Sequence, residues 1–265
     1  HKTCQNTQLI RYTKKRFLSI YPALWISFLI AYLITSFQKG SFLWGGNIFK
    51  IILSFLGFDT YAVYYNVLAY ACVGEWFTGM IIFLYASYLV MRILIRKAPL
   101  ITSVVLFLLY LAESMFAIQP VVPADASIFT GLALFWLGML FCENTKWLDY
   151  SLLKTIVALI VSAAVLFIPL PYIGNVLPWK NLLGIGIFYL LVNAFSLIPY
   201  GDKLKAALKY LSSISFIIYL THHFIILQML SLMAGKDNIL VYFVSITLTL
   251  IVSIVINWIC QRIKD

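Results

Sequence analysis

The chain has 265 residues, of which 63% are hydrophobic and only 11% charged, against about 25% charged in an ordinary soluble domain. With a mean hydropathy of +0.98, too little polar surface remains to clothe a water-soluble fold of this length. The net charge of +10 would suit a nucleic-acid binder if the basic residues formed a stripe on a soluble surface, but they lie between apolar runs, so no nucleic-acid partner is expected.

The chain opens with a polar, basic stretch through Arg16 that matches neither a signal peptide nor a complete membrane segment. Eight apolar runs follow, at 17–36, 73–91, 100–118, 127–142, 152–170, 181–199, 211–232 and 239–259. They are continuous, without strand-like alternation, and most reach the roughly 20 residues that a helix needs to cross hydrocarbon. The run 127–142 is short, and a further run, 47–58, is shorter still and reads as a re-entrant or interfacial helix. The expected fold is therefore all-α, a polytopic transmembrane bundle of about eight spans in a single membrane domain, residues 1–265. Pro22 is expected in the first turn of its span, where a missing N–H matters little. Pro169 with Pro171, and Pro199 with Gly201, are expected to end theirs.

Orientation follows from the basic residues. With the N-terminus in the cytoplasm, fifteen of the nineteen Lys and Arg fall on the inner side, leaving Lys39, Lys50, Lys180 and Lys236 outside. Both ends are then cytoplasmic, with Trp44, Trp76 and Trp179 near the outer interface and Trp147 and Trp258 near the inner one. Cys4, Cys72, Cys142 and Cys260 are scattered, with no CxxC pair and no His/Cys cluster at metal-ligand spacing, so neither a disulfide framework nor a metal site is expected.

Three segments carry polar chemistry. Ser215 to His223 sets His222 and His223 near the middle of a span, where an unsatisfied ring is expensive. The two rings point about 100° apart and do not easily share one ligand. They either serve a function or hydrogen-bond between helices. Val73 to Gly79 holds Glu75, a carboxylate bordered by apolar helix, suited to acid–base work or to orienting a hydroxyl. Its alternative is a helix-end residue at the positive pole of the dipole. Arg11, Lys14, Lys15 and Arg16 form a cationic cluster beside the membrane, able to hold phosphates or to act as a topogenic and lipid-headgroup anchor. Glu113, Asn193 and Asn257 receive structural readings.

The order of "KRFLSIYPALW", "GEWFTGMIIFLY" and "SISFIIYLTHHF" resembles the bacterial membrane acyltransferase-3 family over nearly the whole chain. The resemblance implies ten transmembrane helices with both ends cytoplasmic, hence a bacterial inner-membrane location and two helices missing before His1. It implies an acyl-CoA donor, acetyl-CoA above all, as substrate with no bound cofactor, and as acceptor a hydroxyl of a surface polysaccharide or lipid-linked sugar. It carries over Arg16 in the basic motif, Glu75 and Trp76 in "EWF", and Tyr219 with His222 in "YLxH"; His223 matches less well. His222 and Glu75 are expected to line a central cavity, with Arg11, Lys14, Lys15, Arg16, Trp76 and Tyr219 on the substrates. The family's Arg and His ten residues apart in the first helix have no counterpart here, so the fragment is expected to be inactive. A carrier or flippase for a lipid-linked glycan, and a non-catalytic membrane scaffold, are the competing readings.

Overall fold

The computed structural model describes residues 2–168, 176–197 and 201–264, the side chains of 2–9, 75 and 264 excepted. Among these residues there is no strand, and the backbone forms ten α-helices: α1 (Lys2–Lys39), α2 (Ile51–Leu56), α3 (Asp59–Tyr64), α4 (Glu75–Lys97), α5 (Pro99–Phe116), α6 (Ile128–Glu143), α7 (Leu152–Phe167), α8 (Leu177–Leu197), α9 (Asp202–Leu232) and α10 (Asn238–Lys264). Among the described residues each of the eight apolar runs contains one helix, as hydrocarbon demands of a backbone with no water to bond. Six helices, α1, α4, α5, α8, α9 and α10, are long and apolar enough to cross a membrane. The other two, α6 and α7, have 16 residues each and reach about 24 Å against a hydrocarbon core of about 30 Å. The chain is a multi-pass membrane protein.

Two boundaries differ from the sequence reading. The first helix starts at Lys2, well before the apolar run, so Pro22 sits in its interior and not in a first turn. The Lys, Gln and Arg residues upstream are good helix formers, and propensity carries the helix past the point where hydrophobicity stops. Neighbouring helices and hydroxyl side chains make such a proline tolerable in a membrane, and Ser19 Oγ donates to the Arg16 carbonyl at 2.8 Å in the turn before it. The fourth helix starts at Glu75, not at 73, because Gly74 adopts a left-handed φ of +80°. The run 47–58 holds a 3₁₀ turn and the six-residue α2, and does not cross. Pro169, Pro171 and Pro199 lie outside the described residues; α7 ends at Phe167 and α8 at Leu197.

The chain divides into two compact units, residues 1–82 with 203–265, and residues 83–202. In the first, Leu24, Phe28 and Ala31 of α1 pack with Ile217 and Leu220 of α9 and Ile256 of α10. Gln38, near the end of α1, meets Gln228, near the end of α9, so these two helices run in the same direction and α10 returns against them. Ser27, Thr221 and Ser253 are buried here. Small side chains let helices approach, and the Thr221 hydroxyl donates to the Ile217 carbonyl of its own helix at 2.9 Å. In the second unit α5 packs on α6, and α7 on α8, where Gly186 lies directly over Ser162 Oγ.

Candidate functional site

The first unit encloses a cavity of about 450 Å³. One end of α1 supplies Thr35, Gln38 and Lys39; α9 supplies His223, Phe224 and Gln228; the loops contribute Trp44, Cys72, Val73 and Gly74, and α3 contributes Thr60. The wall therefore combines faces of α1, α3 and α9 with loop chain at 44 and 71–74 that carries no helical periodicity, and side-chain bonds hold the loops in place. Tyr32 Oη donates to the Phe42 carbonyl at 2.9 Å, Trp44 Nε1 to Ser36 Oγ at 3.2 Å, and the buried Tyr70 Oη to the Gly46 carbonyl at 2.8 Å. Lys39 Nζ stands 4.3 Å from the centre of the Trp44 ring, a cation–π contact.

Two motif segments meet at Gly74. Its carbonyl accepts Tyr219 Oη from α9 at 2.8 Å, the Thr78 backbone N–H at 3.2 Å, and the Thr78 hydroxyl. A Cβ at Gly74 would strike Thr78 Oγ1 and come within 2.8 Å of Leu220 Cδ2. Only glycine combines the left-handed turn with this approach. The Tyr219 ring packs edge-on to Phe77, with centroids 5.2 Å apart. The joint fixes the start of α4 against α9, and with it the cavity wall at 72–74.

The histidines divide as their angular separation requires. His223 is exposed and lines the cavity. His222 was expected there, but it turns back to its own helix, with Nδ1 2.8 Å from the Tyr219 carbonyl and its ring 5.9 Å from the Tyr219 ring. Glu75 is the first residue of α4, which is the helix-end placement; its side chain lies outside the described part of the structure. Trp76 is half-buried, edge-on to Phe77 at 5.9 Å. Arg11, Lys14 and Lys15 are exposed on α1, and Arg16 is half-buried with its guanidinium 5.3 Å from the Tyr12 ring centre. From Arg16 to Thr35 is nineteen residues of helix, about 28 Å. The basic cluster and the cavity therefore occupy opposite ends of α1.

Two ionisable groups near the cavity were not anticipated. Asp59 is buried at the start of α3, accepting the Thr60 N–H at 2.9 Å. Loss of water pushes its carboxyl up to about 6, partly countered by hydrogen bonds from Ser54 and Thr60. The Cys72 thiol, on the cavity wall, is pushed up to about 12, mainly by burial and further by the Asp59 charge, with Lys39 opposing. It stays protonated near neutrality, and a protonated thiol is a poor nucleophile. Gln38 and Gln228 also escaped the sequence reading. The available signal was a planar amide near the end of each of two apolar helices, where Leu or Ile would be unremarkable.

In this multi-pass helical protein the motif segments join beside a cavity lined by both polar and apolar side chains. The acyltransferase domain family matches residues 2–258, across both units. The chain belongs to the acyltransferase-3 family and is a membrane acyltransferase. No curated protein and no solved structure matches it.

Proposed function

We propose that the chain transfers an acyl group, acetyl in the first instance, from acyl-CoA to a hydroxyl of a surface polysaccharide or lipid-linked sugar at the bacterial inner membrane. The observation that carries this reading is the layout of α1. Its cationic cluster suits the CoA phosphates, with Arg16 able to bond in bidentate fashion, while the cavity at its other end offers what a sugar needs. Gln38 and Gln228 present both donors and acceptors, and the Trp44 ring gives an apolar face. The cluster faces the cytoplasm and its acyl-CoA, and the cavity faces outward, in the orientation that the lysines and arginines favour.

In the transfer, the acceptor oxygen forms a bond to the thioester carbonyl carbon as the carbon–sulfur bond breaks. The hydroxyl proton passes to a base and then to the departing CoA sulfur, so an ester and free CoA result. An imidazole suits this role, and among the described residues His223 is the histidine on the cavity wall. His222 and Tyr219 act by positioning, since His222 rests on Tyr219 and Tyr219 holds Gly74. Glu75 and Trp76 are assigned to the acceptor side, as the resemblance of the "EWF" segment implies.

Titration of acetyl-CoA into the purified chain, followed calorimetrically, tests the reading. Binding should weaken about tenfold or more in Arg16→Ala, the range for a hydrogen bond to a charged group, and further when Lys14 and Lys15 are also replaced. A chain that does not bind acetyl-CoA, or binds it indifferently to the replacement of Arg16, Lys14 and Lys15, overturns the donor assignment.

A further inference from the structure

Lys39 has no part in the acyl-transfer reading, yet it lines the cavity of the first unit. A lysine in the last turn of a helix, as Lys39 is in α1, complements the helix dipole wherever its side chain points. Here the side chain has one direction. Its Nζ stands 4.3 Å from the centre of the Trp44 ring, and its charge favours the anion of the Cys72 thiol. Trp44 and Cys72 are both wall residues, so the ammonium sits against the cavity wall.

Among the described residues that line this cavity, the ionisable side chains are Lys39, Cys72 and His223, and none is a carboxylate. Asp59, next to the wall residue Thr60, is buried and is taken up with hydrogen bonds from the Thr60 N–H and Ser54. The ammonium has three N–H donors, more than one ring face can take up. Beside it Gln38 and Gln228 form a reciprocal pair. Each amide has two N–H bonds and the pair uses one, so each brings a second donor to the same end of the cavity. A cation flanked by amide N–H groups suits a carboxylate or a phosphate, whose oxygens accept charge-assisted hydrogen bonds. A neutral sugar would leave that charge unmatched. His223 lies five residues before Gln228 on α9, about 7.5 Å along the axis. One monosaccharide bridges that distance between an acid group and a hydroxyl on its far side.

We propose, resting on the reading of this cavity as the acceptor site, that Lys39 with Gln38 and Gln228 forms an anion subsite and that the acceptor is an acidic sugar. Its carboxylate or phosphate sits at Lys39 while the hydroxyl to be acylated reaches His223.

Binding of glucuronic acid, glucose 1-phosphate and glucose to the full chain in a neutral detergent, titrated by saturation-transfer NMR, tests this without requiring turnover. At an ionic strength of about 0.01 M, where charges are little screened, the acid or the phosphate should bind about tenfold more tightly than glucose, the range for a hydrogen bond to a charged group. Whichever of the two binds more tightly names the anion. Lys39→Gln should bring that sugar down to the level of glucose, and Lys39→Arg should keep its advantage. Lys180→Gln, at an exposed lysine of the second unit, should change nothing. Raising the salt to about 1 M should erase the preference. Equal binding of all three sugars to the unmodified chain overturns the anion subsite and leaves the acceptor reading standing, whereas binding of none overturns both. A preference that survives Lys39→Gln, or that falls as much in Lys180→Gln, belongs to the net charge of the chain and overturns the subsite. Because the three sugars are compared first on the unmodified chain, the result does not depend on how well a variant folds.

Discussion

The two units of this protein solve the same packing problem in opposite ways. In the first, 39% of the most apolar window of α1 is buried; in the second, the corresponding figure is 11% for both α5 and α8. The first unit is filled with large side chains and tied by loops that fold back onto the helices, as Tyr70 and Trp44 do, centroids 5.1 Å apart. The second consists of hairpins with a hollow between the α5–α6 pair and α8. Around the Gly74 joint the first unit is dense, with the Gly74 carbonyl bonded from both α4 and α9. Between α6 and α8 in the second, Gly138 and Gly184 face open space.

The contrast is sharpest at the glycines. Gly74→Ala should be the most damaging small change, costing about 4 kcal/mol, because a left-handed residue gains a Cβ and that Cβ collides with Thr78 and Leu220. A fall in the thermal-unfolding midpoint in detergent would register it. A neutral result would mean that the joint between α4 and α9 is looser than its distances.

The next effect is of opposite sign. An acid whose folded pKa is raised, as Asp59 is to about 6 from 3.8, retains protons that the unfolded chain has released. Stability therefore falls as pH rises between those values and stays lower above them, by about 3 kcal/mol. Asp59→Asn should raise the unfolding midpoint at about pH 7.5, with the gain vanishing near about pH 4. A gain independent of pH would exclude ionisation as its source.

Tyr219→Phe should cost about 1 kcal/mol by removing one hydrogen bond from the Gly74 carbonyl. Paired with Gly74→Ala it should be less than additive, since both act on one joint. Smallest of all, Gly184→Ala should stabilise α8 by about 0.5 kcal/mol, because the added methyl meets open space and reduces the freedom of the unfolded chain. The same substitution chemistry should thus harm one unit and help the other.

Much of the fold was legible because hydrocarbon permits so few solutions. Continuous apolar runs became helices, and the run 47–58 was too short to cross. The start of α1 was not legible, because residues 2–16 are polar yet helix-forming, and the apolar pattern says nothing about where such a helix begins. At the candidate site, the meeting of "GEW" and "YLTH" emerges from Tyr219 and Gly74, but sequence could establish only that the two histidines diverge, not which one faces the cavity. Gln38, Trp44 and Cys72 were missed for one reason. They come from helix ends and loops, which no periodicity marks. The hollow in the second unit was invisible for another, since a sequence shows which surfaces are apolar but not whether two of them touch.

The side-chain amides of Gln38 and Gln228 donate to each other, at 2.6 and 3.2 Å, and this reciprocal clasp lies on the wall of the first unit's cavity. Neither group titrates, so acidifying or alkalising the medium leaves the clasp unchanged. Each amide both gives and takes a hydrogen bond in the pair. The pair thus ties the end of α1 to the end of α9 through two side-chain hydrogen bonds.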